Sequence, residues 1–279
     1  MKNFKNKTAV ITGAASGIGR GLAEHCAREG MKVVLADVEE IPLKETEQSL
    51  RDRGAQVLAV VTDVSRLRDV EALAEKTLDT FGGVNLLFNN AGVGGLITPL
   101  WELTEADWKW LMGVNLWGVI HGIRVFVPMM LRSDTECHII NTASMAALML
   151  TPAGAYSMTK HGVVGLTEAL YIQLRERKLG IGLSLLIPGV VRSRILEAYR
   201  NRPPELQNRV DETSIEAIEP PLMQPDYAMS PERCAEIVFG AIREERFYIL
   251  TDSKYKEDIR ERMENILEDR NPVPGKHFP

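Results

Sequence analysis

Short runs of almost unbroken apolar residues alternate along this chain with longer stretches in which apolar positions recur every three or four residues. The short runs fall at Thr8–Thr12, Lys32–Ala36, Gln56–Val61, Leu86–Asn89, His138–Asn141, Ile181–Ile187 and Phe247–Leu250. Runs this short and this continuous predict strands buried on both faces, as in a parallel sheet. The periodic stretches, such as Gly19–Arg28, Val70–Phe81 and Gly162–Arg177, predict helices with one apolar face. Strand-helix alternation predicts an α/β fold, a doubly wound parallel sheet of about seven strands with helices on both faces. No repeat or linker divides the chain, so residues 1–279 are read as a single domain.

One region differs in texture. Six prolines lie from Pro203 to Pro231, with Met223 and Met229 among them. This span follows the sixth strand and precedes a well-marked helix start, with Ser230 as N-cap and Pro231 in the first turn. The charged stretch from Lys254 to Arg270 predicts a surface helix, and Asn271–Pro279 is expected to be loosely held.

Composition narrows the function classes. A net charge of -5 and the lack of a basic stripe with interleaved aromatics give no reason to expect nucleic acid. The longest apolar stretch, Val114 to Leu131, is interrupted by Asn115, His121 and Arg124, so no membrane span is expected. The three cysteines, Cys26, Cys137 and Cys234, are widely spaced and fit a reducing cytoplasm better than a disulfide framework. The amino terminus shows no apolar signal region, which also points to the cytoplasm. The histidines show no metal-ligand spacing, and no metal is expected. His161 stands beside Lys160, but adjacent helical positions do not face each other.

The first strand ends in Thr12-Gly13-Ala14-Ala15-Ser16-Gly17-Ile18-Gly19 and runs straight into a helix. Glycines allow a sharp turn and close approach of a ligand to the backbone. A helix N-terminus beyond them offers free N–H groups to a pyrophosphate. The spacing is Gly-x-x-x-Gly-x-Gly, and no P-loop Lys follows. Asp37 closes the second strand, eighteen residues after Gly19. A carboxylate there can accept hydrogen bonds from an adenosine ribose and would repel a 2′-phosphate. No Arg or Lys stands at Ser16 or Val38 to receive such a phosphate, so the cofactor is read as NAD rather than NADP.

Tyr156 and Lys160 are four residues apart in Tyr-Ser-Met-Thr-Lys, on one face of a predicted helix. Two unit charges about 4 Å apart interact by roughly 4 kcal/mol at an effective dielectric near 20. The Lys160 ammonium is therefore expected to lower the Tyr156 phenol by roughly two to three pKa units and make it an acid/base near neutral pH.

With these residues in hand, the chain resembles the short-chain dehydrogenase/reductase family over most of its length, which implies a Rossmann-like domain. Gly13, Ser16, Gly17, Ile18 and Gly19 resemble the family's cofactor turn. Asp63 and Val64 resemble the pair that contacts adenine, and Asn89-Asn90-Ala91-Gly92 the motif that steadies the sheet beside the cofactor. Asn115, Ser144, Tyr156 and Lys160 match the family's catalytic set. Pro188 and Gly189 match the motif beside the nicotinamide, with Val191 and Ser193 following; Ser193 stands where threonine is frequent. Ser144 lies twelve residues before Tyr156, one fewer than in many members. The resemblance implies that Tyr156 exchanges a proton with the substrate oxygen and Ser144 orients that oxygen. It also implies that Lys160 holds the cofactor ribose and Asn115 holds a water linked to Lys160. It further implies a homodimer or homotetramer formed by the helices around Asn115 and Tyr156.

Ligands of open parallel sheets lie beyond the carboxyl ends of the strands. The loops reaching there contain Gly94, Met145, Ala146, Met149 and Val190, mostly apolar. The expected substrate is a secondary alcohol or ketone of hydrophobic or aromatic character, under a lid formed by residues 195–230. Arg192 and Arg194 leave room for a charged substrate. The alternative is a catalytically weak nucleotide-sensing regulator on the same fold. A serine hydrolase would need a Gly-x-Ser-x-Gly elbow, and Ser144 does not sit in one.

Overall fold

The computed structural model describes residues 1–94, 98–208 and 228–276. Seven parallel strands form the sheet: β1 (Thr8–Thr12), β2 (Lys32–Asp37), β3 (Val57–Val61), β4 (Leu86–Asn89), β5 (Cys137–Thr142), β6 (Ile181–Ile187) and β7 (Tyr248–Leu250). Their order is β3-β2-β1-β4-β5-β6-β7, so the winding reverses between β1 and β4. Helices α1 (Gly17–Arg28), α2 (Glu40–Asp52) and α3 (Leu67–Phe81) connect the first four strands. Helices α4 (Glu105–Met112) and α5 (Gly118–Met130) follow β4, α6 (Gly154–Glu176) follows β5, α7 (Pro231–Arg243) precedes β7, and α8 (Lys256–Leu267) follows it.

Why the strands read as continuous apolar runs is plain from their packing. Along β1, Ala9 and Ile11 face one layer, with Leu22 of α1 and Phe239 of α7, while Val10 faces the other, with Leu73 of α3 and Phe126 of α5. Both faces are dry, so the alternation of polar and apolar residues seen in half-exposed strands is absent. Fully burying a side chain such as Phe239 stabilises by about 1.5–3 kcal/mol.

Helix ends follow local chemistry. Ser230 caps α7 by accepting from the Arg233 N–H at 3.2 Å, as its sequence predicts. Thr104 and Asp107 form a reciprocal capping box at the start of α4. Between α4 and α5 the helix widens into a π-turn at Gly113–Trp117, which carries Asn115. The run 105–130 is long and apolar enough by length and composition to cross a membrane. Its inner face, with Val119, Phe126 and Met130, is buried in the core of this domain.

The carboxyl-terminal stretch corrects one expectation. Residues 271–274 are exposed, but Gly275 N–H donates to the Leu150 carbonyl at 3.1 Å and Lys276 N–H to Asp258 Oδ1 at 3.1 Å. Gly275 and Lys276 are thus tied to the loop after β5 and to α8 rather than left loose, and residues 277–279 lie outside the described residues. Of the region expected to be a lid, residues 209–227, with Met223, lie outside the described residues. Near its far end, Met229 forms a parallel bridge with Val191, ahead of the region, with Met229 N–H donating to the Val190 carbonyl at 3.0 Å.

Candidate active site

A cavity of about 900 Å³ opens at the carboxyl ends of the strands, across the point where the winding reverses. One wall begins with the glycine turn after β1. Gly13 and Gly17 have φ of +69° and +52°, a region that favours glycine. A Cβ on Gly19 would lie 2.0 Å from the Gly13 carbonyl oxygen, so the third glycine lets the helix seat against the strand end. Ser16 is the N-cap of α1 but makes no side-chain capping bond, which leaves the first-turn N–H groups without a capping partner. Gly17 and Ile18 border the cavity there. Uncapped N–H groups over a glycine cradle fit a pyrophosphate.

Thr12 ties this turn to the next strand. Its hydroxyl accepts from Asn90 N–H at 2.9 Å and Ala91 N–H at 3.0 Å, and Asn90 Nδ2 donates to the Thr12 carbonyl at 2.9 Å. Asn89 donates to Asn141 at 2.8 Å, and Asn141 to Thr167 of α6 at 3.1 Å, so the steadying role expected of this motif has a hydrogen-bonded basis. Asp37 accepts from Ala15 N–H and from Glu39 N–H, both at 3.0 Å. Burial pushes its carboxyl above the usual range, and these N–H groups act against that. Asp63 accepts from the Ser65 hydroxyl at 2.6 Å, and Val64 packs on Gly118. Both border the cavity, as do Pro188, Gly189, Val191 and Ser193. Gly189 N–H donates to the Thr251 hydroxyl at 3.0 Å.

The reacting end is built differently. Tyr156 sits in the first turn of α6, half-buried at the cavity wall, near enough to Ser144 for that hydroxyl to favour its phenolate. Ser144 caps the short 3₁₀ turn Met145–Ala147 by accepting from Ala146 N–H at 3.2 Å. The shorter spacing between Ser144 and Tyr156 thus still brings the two hydroxyls together. Lys160 is buried, and its ammonium donates to the Thr142 carbonyl at 3.1 Å.

The expected electrostatics are not those found. Lys160 Nζ lies 5.8 Å from the centre of the Tyr156 ring and points past it to Thr142. Burial lowers Lys160 to about 8. Burial also raises the Tyr156 phenol above its ordinary value, opposed only by the Ser144 hydrogen bond. Burial thus moves the two groups in opposite directions, Lys160 down and Tyr156 up, and each shift favours the neutral form. Desolvation outweighs the charge pair that the i, i+4 spacing suggests.

Asn115 is fully buried and does not border the cavity. Its Oδ1 accepts from Val93 N–H at 2.8 Å, and its Nδ2 donates to the Val93 carbonyl at 2.9 Å and the Thr159 hydroxyl at 3.2 Å. Both amide hydrogens are engaged, which leaves only oxygen lone-pair capacity for a water. The π-turn is what swings this side chain inward, a use such turns have at functional sites.

Of the expected substrate-pocket residues, Gly94 and Val190 border the cavity. Met145, Ala146 and Met149 do not: Met145 and Met149 are core residues packed with Ala143 and Tyr255, and Ala146 is buried in the same turn. The tight 3₁₀ turn after Ser144 points them inward. His161 bonds the Ser157 carbonyl one turn back and lies away from the cavity.

Sequence reasoning named no residue of α4 for the opposite wall, although Ile195, Leu196 and Ala198 fall within the region expected to be a lid. Trp110 and Val114 from α4 and the turn after it, and Ile195, Leu196 and Ala198 from the 3₁₀ segment Ile195–Asn201, close the reacting end. A buried ion pair holds them together, Arg202 Nη1 to Asp107 Oδ1 at 2.6 Å. Arg202 also stacks over Trp110 and Tyr199 at 5.4 and 5.5 Å. Burial pushes the Asp107 carboxyl up, but the Thr104 N–H and Arg202 outweigh it and hold it low. Arg194, read as a possible substrate cation, instead pairs with Glu197 at 3.1 Å and faces Glu39 at 3.6 Å on the adenosine side.

A glycine cradle at the reversal point of a parallel sheet, leading to a half-buried Tyr and Ser and a buried Lys, defines a dinucleotide-binding α/β protein. The family model for short chain dehydrogenases matches residues 7–204. A CLA biosynthesis dehydrogenase/reductase of Lactiplantibacillus plantarum is 35% identical over 278 residues, covering 98% of this chain and 97% of that protein. A C alpha-dehydrogenase of a Sphingobium species is 31% identical over 281 aligned positions, covering 98% and 89%. A short-chain dehydrogenase/reductase from Burkholderia phymatum, solved in complex with NAD, superposes with a TM-score of 0.93 at 45% identity over all of both chains. The chain belongs to the short-chain dehydrogenase/reductase family and is an oxidoreductase of that family.

Proposed function

We propose that this chain transfers a hydride between NAD and a secondary alcohol or ketone of hydrophobic or aromatic character, with Tyr156 as acid/base. The observation that carries this reading is the Tyr156–Ser144 hydroxyl pair, set at the wall of the cavity that begins at the glycine cradle. NAD, when bound, supplies the hydride chemistry; the protein supplies position and field. Asp37 would receive the adenosine ribose, the first turn of α1 the pyrophosphate, and Pro188 to Ser193 the nicotinamide end. The NAD complex of the Burkholderia relative supports that cofactor.

In this reading Tyr156 gives its proton to the carbonyl oxygen during reduction and takes it back during oxidation. Ser144 hydrogen-bonds the same oxygen where charge develops, which is the position where a fixed donor helps most. Lys160 holds the ribose hydroxyls next to Tyr156. Asn115 acts as a positioning residue, tying Val93 at the cavity wall to Thr159 of α6. The substrate would lie between Gly94 and Val190 on one side and Trp110, Val114 and Ile195 on the other. That wall is apolar, and the names of the two curated relatives above describe dehydrogenases as well.

We further propose a homodimer or homotetramer through the helices around Asn115 and Tyr156, where Trp117, Met158 and Ile172 leave apolar surface exposed. The catalytic reading is tested by incubating the purified chain with NAD and secondary alcohols of graded size and following reduced nicotinamide by absorbance. Turnover is expected with apolar and aryl secondary alcohols. No turnover in either direction with any of them, or with the matching ketones, would overturn it.

A further inference from the structure

The sequence shows no cation beside Asp37, yet the fold brings two there from more than 150 residues away. Asp37 Oδ1 accepts from Glu39 N–H, an Asx-type turn that sets the backbone of Glu39 beside the end of β2. The Glu39 carboxylate then takes both arms of the Arg200 fork, Nε to Oε1 at 3.0 Å and Nη2 to Oε2 at 2.5 Å. Arg194 Nη1 stands 3.6 Å from Glu39 Oε1. The Glu39 and Arg200 side chains are only 14% and 24% exposed, so this is a held pair rather than a loose surface contact. Hydrogen bonds from Arg200, opposed by burial, keep the Glu39 carboxyl below the usual carboxylate range.

Arg200 is also fixed independently of Glu39. Its Nη1 donates to the Arg194 carbonyl at 2.9 Å and the Glu197 carbonyl at 2.8 Å. The guanidinium would keep its place if the carboxylate were removed. All four side chains, Asp37, Glu39, Arg194 and Arg200, border the one cavity that contains the glycine cradle. A guanidinium fork binds phosphate with the same geometry as carboxylate.

We infer that Glu39 is a second cofactor-selecting residue: by filling the Arg200 fork, it withholds the cation that a 2′-phosphate on the adenosine ribose would need, while Arg194 is held more closely by Glu197 at 3.1 Å. Selection of NAD over NADP then rests on two carboxylates with distinct actions. Asp37 accepts the ribose hydroxyl and repels a phosphate, while Glu39 occupies the phosphate's partner. This rests on the dinucleotide reading above but not on the role of Tyr156.

Binding of NADH and NADPH to the full chain, read by calorimetry without turnover, tests it. In Glu39→Gln, NADPH is expected to bind about tenfold or more tightly than to the unaltered chain, with NADH within about threefold. Adding Arg200→Met should abolish the gain, and raising ionic strength should shrink it. An unchanged NADPH affinity in Glu39→Gln, or a gain that survives Arg200→Met, overturns the inference. If Glu39→Gln also loses NADH, Glu39→Ser carries the same expectation, and loss of NADH by both makes Glu39 structural and overturns it. Failure of the unaltered chain to bind NADH at all would instead sink the dinucleotide reading beneath it.

Discussion

The two ends of the cleft solve different physical problems. At the adenosine end, polar contacts are backbone N–H groups, an Asx turn and ion pairs near the surface, such as Arg66–Glu205 at 3.0 Å with side chains 59% and 61% exposed. At the reacting end, charge is buried: Lys160 in the floor, and the Arg202–Asp107 pair in the wall with side chains 0% and 5% exposed. The first end can admit and release a charged ligand at little cost to the fold. The second holds its groups in place because water cannot compete for them. Stability is therefore expected to respond very unequally to the loss of one charge at each end.

The sharpest way to break that comparison is to remove one arginine from each. Arg202→Leu leaves Asp107 buried without its partner and is expected to cost about 3–5 kcal/mol. Arg66→Leu is expected to cost less than about 1 kcal/mol. Urea unfolding of the two variants checks this, and equal losses would mean the two ends do not differ in the way described.

Lys160 gives a smaller effect with a definite sign. Burial lowers its pKa from 10.5 to about 8, so between those values the folded chain binds fewer protons than the unfolded one. Stability from this group therefore rises with pH through that window, and the cost is fully present below it. Near neutral pH that cost is about 3 kcal/mol. Lys160→Met is expected to be more stable than the unaltered chain near neutral pH, less by the lost Thr142 hydrogen bond, about 1 kcal/mol. The advantage should fade as pH approaches 10.5. A stability difference that ignores pH would contradict a charged, desolvated lysine at this site.

What could be read from the sequence follows the same division. Strands β1, β4 and β6 match their expected limits residue for residue, because dry parallel strands advertise themselves by unbroken apolar runs. The glycine turn and Asp37 were legible because each is a local device. Helices began earlier than their apolar spacing suggested. In α6 the apolar period begins at Gly162, but the helix starts at Gly154, ahead of the Tyr156–Lys160 pair that the sequence already placed on a helix, since its first turns face the cavity rather than the core. The π-turn at Asn115 left no spacing signal to follow. Arg202–Asp107 and Arg200–Glu39 join residues 95 and 161 positions apart, and no local pattern marks such partners. The Thr104–Asp107 capping box was readable and would have fixed the start of α4. The Tyr156–Lys160 spacing correctly placed both residues on one helix beside the cavity but suggested a charge pair that burial opposes, because burial is not visible in a spacing.

The central claim is that the Tyr156 hydroxyl, beside Ser144 at the cavity wall, moves the proton. Tyr156→Phe removes that oxygen alone and keeps the ring. Turnover and NADH affinity should be measured on one preparation of this variant. The account predicts a fall in kcat of about 10²–10⁴-fold with NADH affinity unchanged. Turnover within a fewfold of the unaltered chain would contradict it.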